Sequence, residues 1–438
     1  MTNWLIRAAR LGGRTVVLSL FLQIGVAVAG LDSIAQNSHN GVASCAGSVC
    51  HGKLDIQEDR TVWLNEYRTW QSYDRHSKAY NTLRSKESKL IAQKLGLKSA
   101  ATADICLDCH ADNVPKEKRG QKFKITDGVG CEACHGGSEK WIKSHTERSA
   151  THQQNIEKGL YPADRIDERS DLCLSCHLGT NNKFTTHAIM GAGHPRLAFE
   201  LETFTANQPA HYEVDDDYVQ RKGEQMGYNA WVLGQLASAE RYLALLAGPL
   251  FQAKGEIFPE LALYDCHSCH HPMDQKQWSS TRAGGVGPGT MRLQRHYFVG
   301  IEATLLGLGL DVEAAEMKKS VQRLLQSGQK SAQQLVSTSN DLAILLASYR
   351  QKWKVEPFDE KIVSSTRKAL LSLAAKERAS DFNSAEQVFL SVEALSYVLG
   401  DIENTQASLD KLFAEVEDDR SFRPASFSAV AKAVVAKF

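Results

Sequence analysis

The sequence predicts a mainly α-helical protein with little regular sheet: a region of short elements built around five cysteine-histidine sites, then a helical bundle-like domain. Three observations predict it. All ten cysteines fall in five sites of the form Cys…Cys-His, the last ending at His270. The stretches between these sites show helical three- and four-residue apolar spacing or glycine-containing links. From Met291 onward helical periodicity is persistent and cysteine is absent.

Four sites are regular: Cys106-Leu107-Asp108-Cys109-His110, Cys131-Glu132-Ala133-Cys134-His135, Cys173-Leu174-Ser175-Cys176-His177 and Cys266-His267-Ser268-Cys269-His270. Each is the c-type haem attachment pattern. Two thiols so spaced add to the two vinyl groups of one haem, and the adjacent histidine is held under the iron as proximal ligand. The first site, Cys45 to Cys50 followed by His51, has four residues between its cysteines instead of two, yet can close the same double thioether with a larger loop. Structural zinc and iron–sulfur clusters also use paired cysteines, but neither asks for a histidine after every second cysteine. For the first site the rival is a Cys45–Cys50 disulfide, which an oxidising compartment permits. The reading is five covalently bound haem c groups, with His51, His110, His135, His177 and His270 as proximal ligands.

Arg7, Arg10 and Arg14, the apolar run Val16 to Ala29 and the small-residue sequence Ala27-Val28-Ala29 have the layout of a secretory signal peptide. The expectation is cleavage after Ala29 and a periplasmic protein; the alternative is an uncleaved segment attaching it to the inner membrane. Equal numbers of basic and acidic side chains, 51 each, argue against a general nucleic-acid surface. The expected division is a signal segment over 1–29, a four-haem domain over 30–228 and a helical domain over 229–438 carrying the fifth site.

Along the chain, ten histidines remain beyond the five proximal ones, enough to give every iron a second axial ligand. His39 lies just ahead of the first site. Trp63, Tyr67 and Trp70 mark a helical face within 61–95, and His76 after that stripe is placed to reach an iron. The basic linker 111–130 ends in Gly128-Val129-Gly130. His145 and His152 are expected two turns apart on one short helix, on roughly the same side. His187 and Gly191-Ala192-Gly193-His194-Pro195 follow the fourth site, where glycines allow close backbone approach to a flat cofactor. His296, beside Arg292, Arg295 and Tyr297, is the candidate for the fifth iron. The candidate distal ligands are thus His194, His76, His296, His39, His145, His152 and His187. His267 reads as an exposed histidine, Met190 and Met273 as packing, and Glu213 with 215–217 as a solvated acidic loop. An amphipathic helix is expected over 229–247, ended by Gly248-Pro249. Further helices are expected over Met291–Leu308, Val312–Leu325, Ala332–Tyr349, Asp359–Ala374, Ser384–Leu399 and Leu409–Val416.

The stretch from Cys45 to Phe204 resembles the cytochrome c-554 family of periplasmic tetrahaem electron carriers. The likeness rests on a first site followed by Trp70 and His76-Ser77-Lys78-Ala79, then Asp104-Ile105-Cys106-Leu107-Asp108-Cys109-His110. It is strongest at Gly128-Val129-Gly130-Cys131-Glu132-Ala133-Cys134-His135-Gly136-Gly137. The resemblance implies a multihaem cytochrome c core, paired and largely bis-histidine haems, electron transfer as the activity, and an open iron face at the haem held by His110. The chain departs from it in the wider first site, the fifth site and the C-terminal helices.

A bis-histidine iron is coordinatively full and exchanges electrons without binding substrate. The favoured function is therefore electron transport between a redox donor and acceptor protein, either of which can belong to a membrane respiratory complex. The alternative is a multihaem oxidoreductase acting on a small nitrogen or sulfur compound at a five-coordinate haem. A third reading is a structural or assembly subunit of a respiratory complex that docks through its C-terminal helices; a homo-oligomer is also open. Zinc-protease and nucleotide-binding motifs are absent.

Overall fold

The structure is a computed structural model that describes residues 34–54, 62–223, 226–251, 259–271, 284–378 and 381–438. The expected signal segment over 1–29, Met273 and the first part of the loop before Gly289 lie outside the described residues. Among the described residues the fold is mainly helical and forms no strand, only isolated bridges such as that between His39 and Arg119.

The helical pattern of 61–95 does not run on as one rod. Helix α1 spans Glu66–Tyr73 and stops at Asp74, whose extended backbone and carboxylate, accepting from the His76 amide, open a 3-10 turn over Arg75–Lys78. Short helices follow over Ala79–Thr82 and Lys86–Lys94, the second capped by Ser85. The expected helix joining His145 to His152 is also divided. His145 sits in a 3-10 turn, Ser144–Thr146, and Thr151 with Gln154 forms a capping box that starts a separate helix at His152. The acidic stretch at 215–217 is a helix start instead of a loop, with Asp215 capping Asp216–Lys222.

Each of the second, third and fourth cysteine motifs closes a helix: Asp104–His110, Cys131–His135 and α2, Ile166–His177. The motif histidine therefore falls in the last turn, with both thiols within one turn before it. Cys266 starts a 3-10 turn, Cys266–Ser268, capped by Asp265.

The second half packs on one core. After α3 (Leu201–Asn207) comes α4 (Tyr228–Ala247), where burial takes in Trp231, Leu236, Tyr242 and Leu246 on different sides. It was expected to be amphipathic but is enclosed all round, because α2, α3, α5 (Val299–Gly307) and α7 (Ala332–Trp353) all pack on it. Helix α6 (Asp311–Ser327), α8 (Glu360–Ala375), α9 (Phe382–Val398) and α10 (Ile402–Val416) follow. Only the Met291–Leu308 expectation shortens markedly, to a 3-10 turn over His296–Phe298 and then α5. A last helix, α11 (Pro424–Val434), was not anticipated; Pro424 sits in its first turn, where a missing N–H costs nothing.

Ion pairs tie the motif-bearing α2 to this core. Arg350 of α7 reaches Asp167 at 3.0 Å and Glu240 at 2.5 Å, Lys354 reaches Asp167 at 2.6 Å, and Arg241 reaches Asp171 at 3.2 Å. Helices α5 and α8 meet at Gly307, where a Cβ would lie 2.2 Å from Thr366 Oγ1 and 2.8 Å from its backbone nitrogen. Thr366 is itself held by the Tyr228 hydroxyl at 2.8 Å. Gly307→Ala is therefore expected to force the helices apart and cost about 1–3 kcal/mol, read as a lowered midpoint in a circular-dichroism melt. An unchanged melt would mean the contact relaxes freely.

Candidate metal centres

Helix α1 organises the N-terminal sites. At its start, the Tyr67 amide donates to His51 O (3.0 Å), Lys53 N to Leu64 O (2.8 Å), and Arg68 Nε to the carbonyls of Gly52 and Lys53 (3.0 and 2.9 Å). Its Trp70 Nε1 donates to Val129 O at 3.1 Å, and Val129 N donates to His76 O at 3.1 Å. One short helix thus fastens the first site, the approach to the third, and the His76 turn.

The third motif is anchored from inside. The buried Glu132 carboxylate accepts from the amides of Asn40 (2.8 Å), Gly41 (2.6 Å) and Ser138 (2.8 Å). A carboxylate loaded with three amides bears burial well. Gly128, at φ +76°, passes so close to His76 O that a Cβ would stand 2.8 Å from it; at Gly137 a Cβ would stand 2.4 Å from Asn37 O. Those contacts explain the glycines flanking this motif.

Five times, the structure sets a motif histidine opposite another histidine. The ring centres are 6.2 Å apart for His51 and His145, 6.2 Å for His177 and His76, 6.2 Å for His110 and His194, 6.3 Å for His135 and His211, and 6.1 Å for His270 and His187. Two metal–imidazole bonds of about 2 Å each, added to the ring radii, put ring centres roughly 6 Å apart across one metal. The spacing is too wide for direct ring stacking and suits one iron between two rings. The ring planes differ: 12° and 30° for the His51 and His270 pairs, against 83° to 89° for the other three.

Outer partners fix which ring nitrogen is free. Nδ1–H donates to Glu66 Oε2 from His51 (2.9 Å), to Asp74 Oδ1 from His76 (2.9 Å), to Ala79 O from His110 (3.2 Å), to Trp141 O from His145 (3.3 Å) and to Pro195 O from His194 (2.7 Å). Nε2 is left to bind metal in each, the outer-shell arrangement that orients metal-ligating histidines. Burial pushes the pKa of His110, His135, His177 and His211 down, His135 to about 4, favouring the neutral form that ligates.

Of the distal candidates read from the sequence, His76, His145, His187 and His194 face motif histidines, and three do not. His39 is fully buried, with Nδ1 on Asp112 Oδ2 (2.7 Å) and Nε2 on Ile34 O (2.9 Å); both nitrogens are committed to clasping the chain ahead of the first site. His152 turns to Asp164, because the capping box sends it onto a separate helix. His296 lies against Tyr297 with ring centres 3.8 Å apart, and burial pushes its pKa down to about 4. It lines a cleft with His177, Met190, Phe199, Arg196 and Cys266 but faces no motif histidine; the ring opposite His270 is His187. His211 was missed: it follows α3 after Pro209, with no glycine or aromatic stripe to single it out. Its segment is anchored where Gln208 Nε2 donates to Asp74 Oδ2 at 3.1 Å. His267, expected at the surface, packs on Phe382 and meets Asp419 O at 3.1 Å.

All ten cysteines are free of disulfides, Cys45 and Cys50 included. Cys45 lies beside Cys131, and Cys109 beside Cys176, so the first motif neighbours the third and the second neighbours the fourth. The residues fit haem c: thioether donors beside imidazole pairs at bis-ligation spacing. The open face expected at His110 is met by His194. Residues 43–136, which hold the first three motifs, match the family model described as cytochrome c554 and c-prime. No curated protein and no solved structure matches the chain.

Proposed function

We propose, from the premise that this is a cytochrome c554-like multihaem protein, that it is an exported pentahaem cytochrome relaying single electrons between periplasmic or membrane-associated redox proteins. The family match over residues 43–136 supports covalent haem c and electron transfer. The count of five, the ligand set and the location are the proposal.

The observation that carries it is the repeated imidazole pair. Cys45 with Cys50, Cys106 with Cys109, Cys131 with Cys134, Cys173 with Cys176 and Cys266 with Cys269 would hold the five haems. The axial ligands would be His51/His145, His110/His194, His135/His211, His177/His76 and His270/His187. Each haem would supply a one-electron ferric/ferrous couple. With each histidine pair holding one iron, the chain's residues would orient ligands and hold neighbouring sites close. Motifs whose cysteines neighbour one another would hold their haems close, and close haems would supply short electron-transfer steps. The arrangement supports a relay over catalysis at an open iron. The export part rests on the N-terminal pattern alone; no described helix is long and apolar enough to cross a membrane.

Low-temperature electron paramagnetic resonance of the oxidised protein tests the ligand set. Parallel imidazole planes split the iron d-orbital pair that they bond, giving rhombic low-spin signals; crossed planes leave it nearly degenerate, giving strongly anisotropic ones. Two rhombic and three strongly anisotropic signals are expected, with no stoichiometric high-spin ferric signal. A full equivalent of high-spin iron would remove the relay reading and favour an oxidoreductase.

A further inference from the structure

We infer that Glu66 and Asp74, the two carboxylates at opposite ends of α1, set the first and fourth sites to lower reduction potential than the second, so that these two haems accept electrons after it. The inference rests on the ligand pairs proposed above and concerns how the chain grades them.

The contrast lies in what each ligand's Nδ1–H meets. On His51 and His76 the acceptor is a carboxylate at 2.9 Å. On His110 and His194 it is a backbone carbonyl, at 3.2 and 2.7 Å. A carboxylate draws the Nδ1 proton further than a neutral carbonyl and gives the ring anionic character. That makes Nε2 a stronger donor, which favours the ferric over the ferrous ion. The charge also acts directly, since one negative group nearby stabilises the extra positive charge of ferric iron. Both carboxylates are shielded from water, with side-chain exposures of 16% and 6%, so the effect is weakly screened.

Each carboxylate is held in place by its other contacts. Glu66 Oε1 accepts from Leu64 N at 3.0 Å. Leu64 has φ +58°, a left-handed backbone unfavourable for a branched residue. The strained turn aims its amide at the carboxylate that orients His51, the kind of local cost that persists where the surroundings enforce it. Asp74 accepts from His76 N at 2.9 Å and from Gln208 Nε2 at 3.1 Å, besides the His76 ring. The reaction graded is transfer of one electron from a reduced partner protein to ferric iron, with no bond to the carboxylates made or broken.

The test is Glu66→Gln and Asp74→Asn in the full haem-loaded protein, each followed by a redox titration monitored by electron paramagnetic resonance. The ring angles make the two readouts separate. Glu66→Gln is expected to raise the potential of one rhombic signal, from the His51/His145 pair, and Asp74→Asn that of one strongly anisotropic signal, from the His76/His177 pair. A tenfold change in the ferric/ferrous equilibrium would read as 59 mV for a one-electron couple. Glutamine removes the charge and keeps one acceptor for Leu64 N or the His51 ring, so Glu66→Gln takes away the charge-assisted bond to His51, and an unaltered far-ultraviolet circular-dichroism spectrum checks that the fold is intact. Unmoved potentials with all signals present would overturn the tuning while leaving the ligand pairs standing. Wild-type signals that are not low-spin bis-imidazole would instead remove the ligand assignment beneath it.

Discussion

Replacing His211 with leucine is expected to turn one iron in five from low-spin to high-spin, with a full equivalent of high-spin ferric signal and loss of one strongly anisotropic signal. His211 stands opposite His135 at 6.3 Å with ring planes 84° apart, and the described structure brings no other histidine to that ring. Leucine is close in volume and cannot ligate, so the vacancy would be filled by water or left open. The covalent attachment at Cys131 and Cys134 should survive, since the thioethers do not depend on the distal ring. Haem content is therefore expected to stay at five while the spin state changes. A variant that remains wholly low-spin would mean that another group ligates that iron.

The second large effect is the loss of a whole haem. Replacing Cys45 and Cys50 together with alanine is expected to lower haem content by one fifth, measured by pyridine haemochrome absorbance against protein mass, and to delete one rhombic low-spin signal. The wider spacing of this site is its distinctive feature, and the structure accommodates it. The Gly52 amide donates to Gly47 O at 3.0 Å and His51 N to Cys45 O at 3.1 Å, folding the extra residues back over the loop. Val49 is left projecting into solvent at 85% exposure, so the additional length bulges outward and does not displace His51. A wild-type content of four haems, unchanged by the double substitution, would restore the disulfide reading.

The sequence made the attachment sites legible and left the distal ligands largely hidden, for a physical reason. A proximal histidine is adjacent to its thiols, so local spacing exposes it. A distal one is brought in by tertiary packing from far along the chain, and local pattern says little. His76 and His194 had local cues, an aromatic stripe and flanking glycines. His39 had a comparable cue in its place just before the first site, yet it serves as a buried clasp on Asp112. His296 has its cue in a helical pattern beside Arg292, Arg295 and Tyr297, whereas the ring facing His270 comes from His187, far upstream. The same limit applies to helices: periodicity found most of the C-terminal ones, but could not tell an enclosed helix such as α4 from an amphipathic one. Nor could it show that Asp74 and Thr151 would cut longer helical patterns.

The facing rings join residues 76 to 101 positions apart, and four of the five pairs, beginning at His51, His76, His110 and His135, end in the same order at His145, His177, His194 and His211. Such pairs interlace instead of nesting, so every one of the four spans the segment between His135 and His145. On the proposed ligand pairs, a protease nick placed there would leave two fragments laced together by four coordination staples, which displacing the metal would remove. Closing loops of this length also removes much of the freedom of the unfolded chain, so stripping the iron should loosen this whole half of the molecule at once.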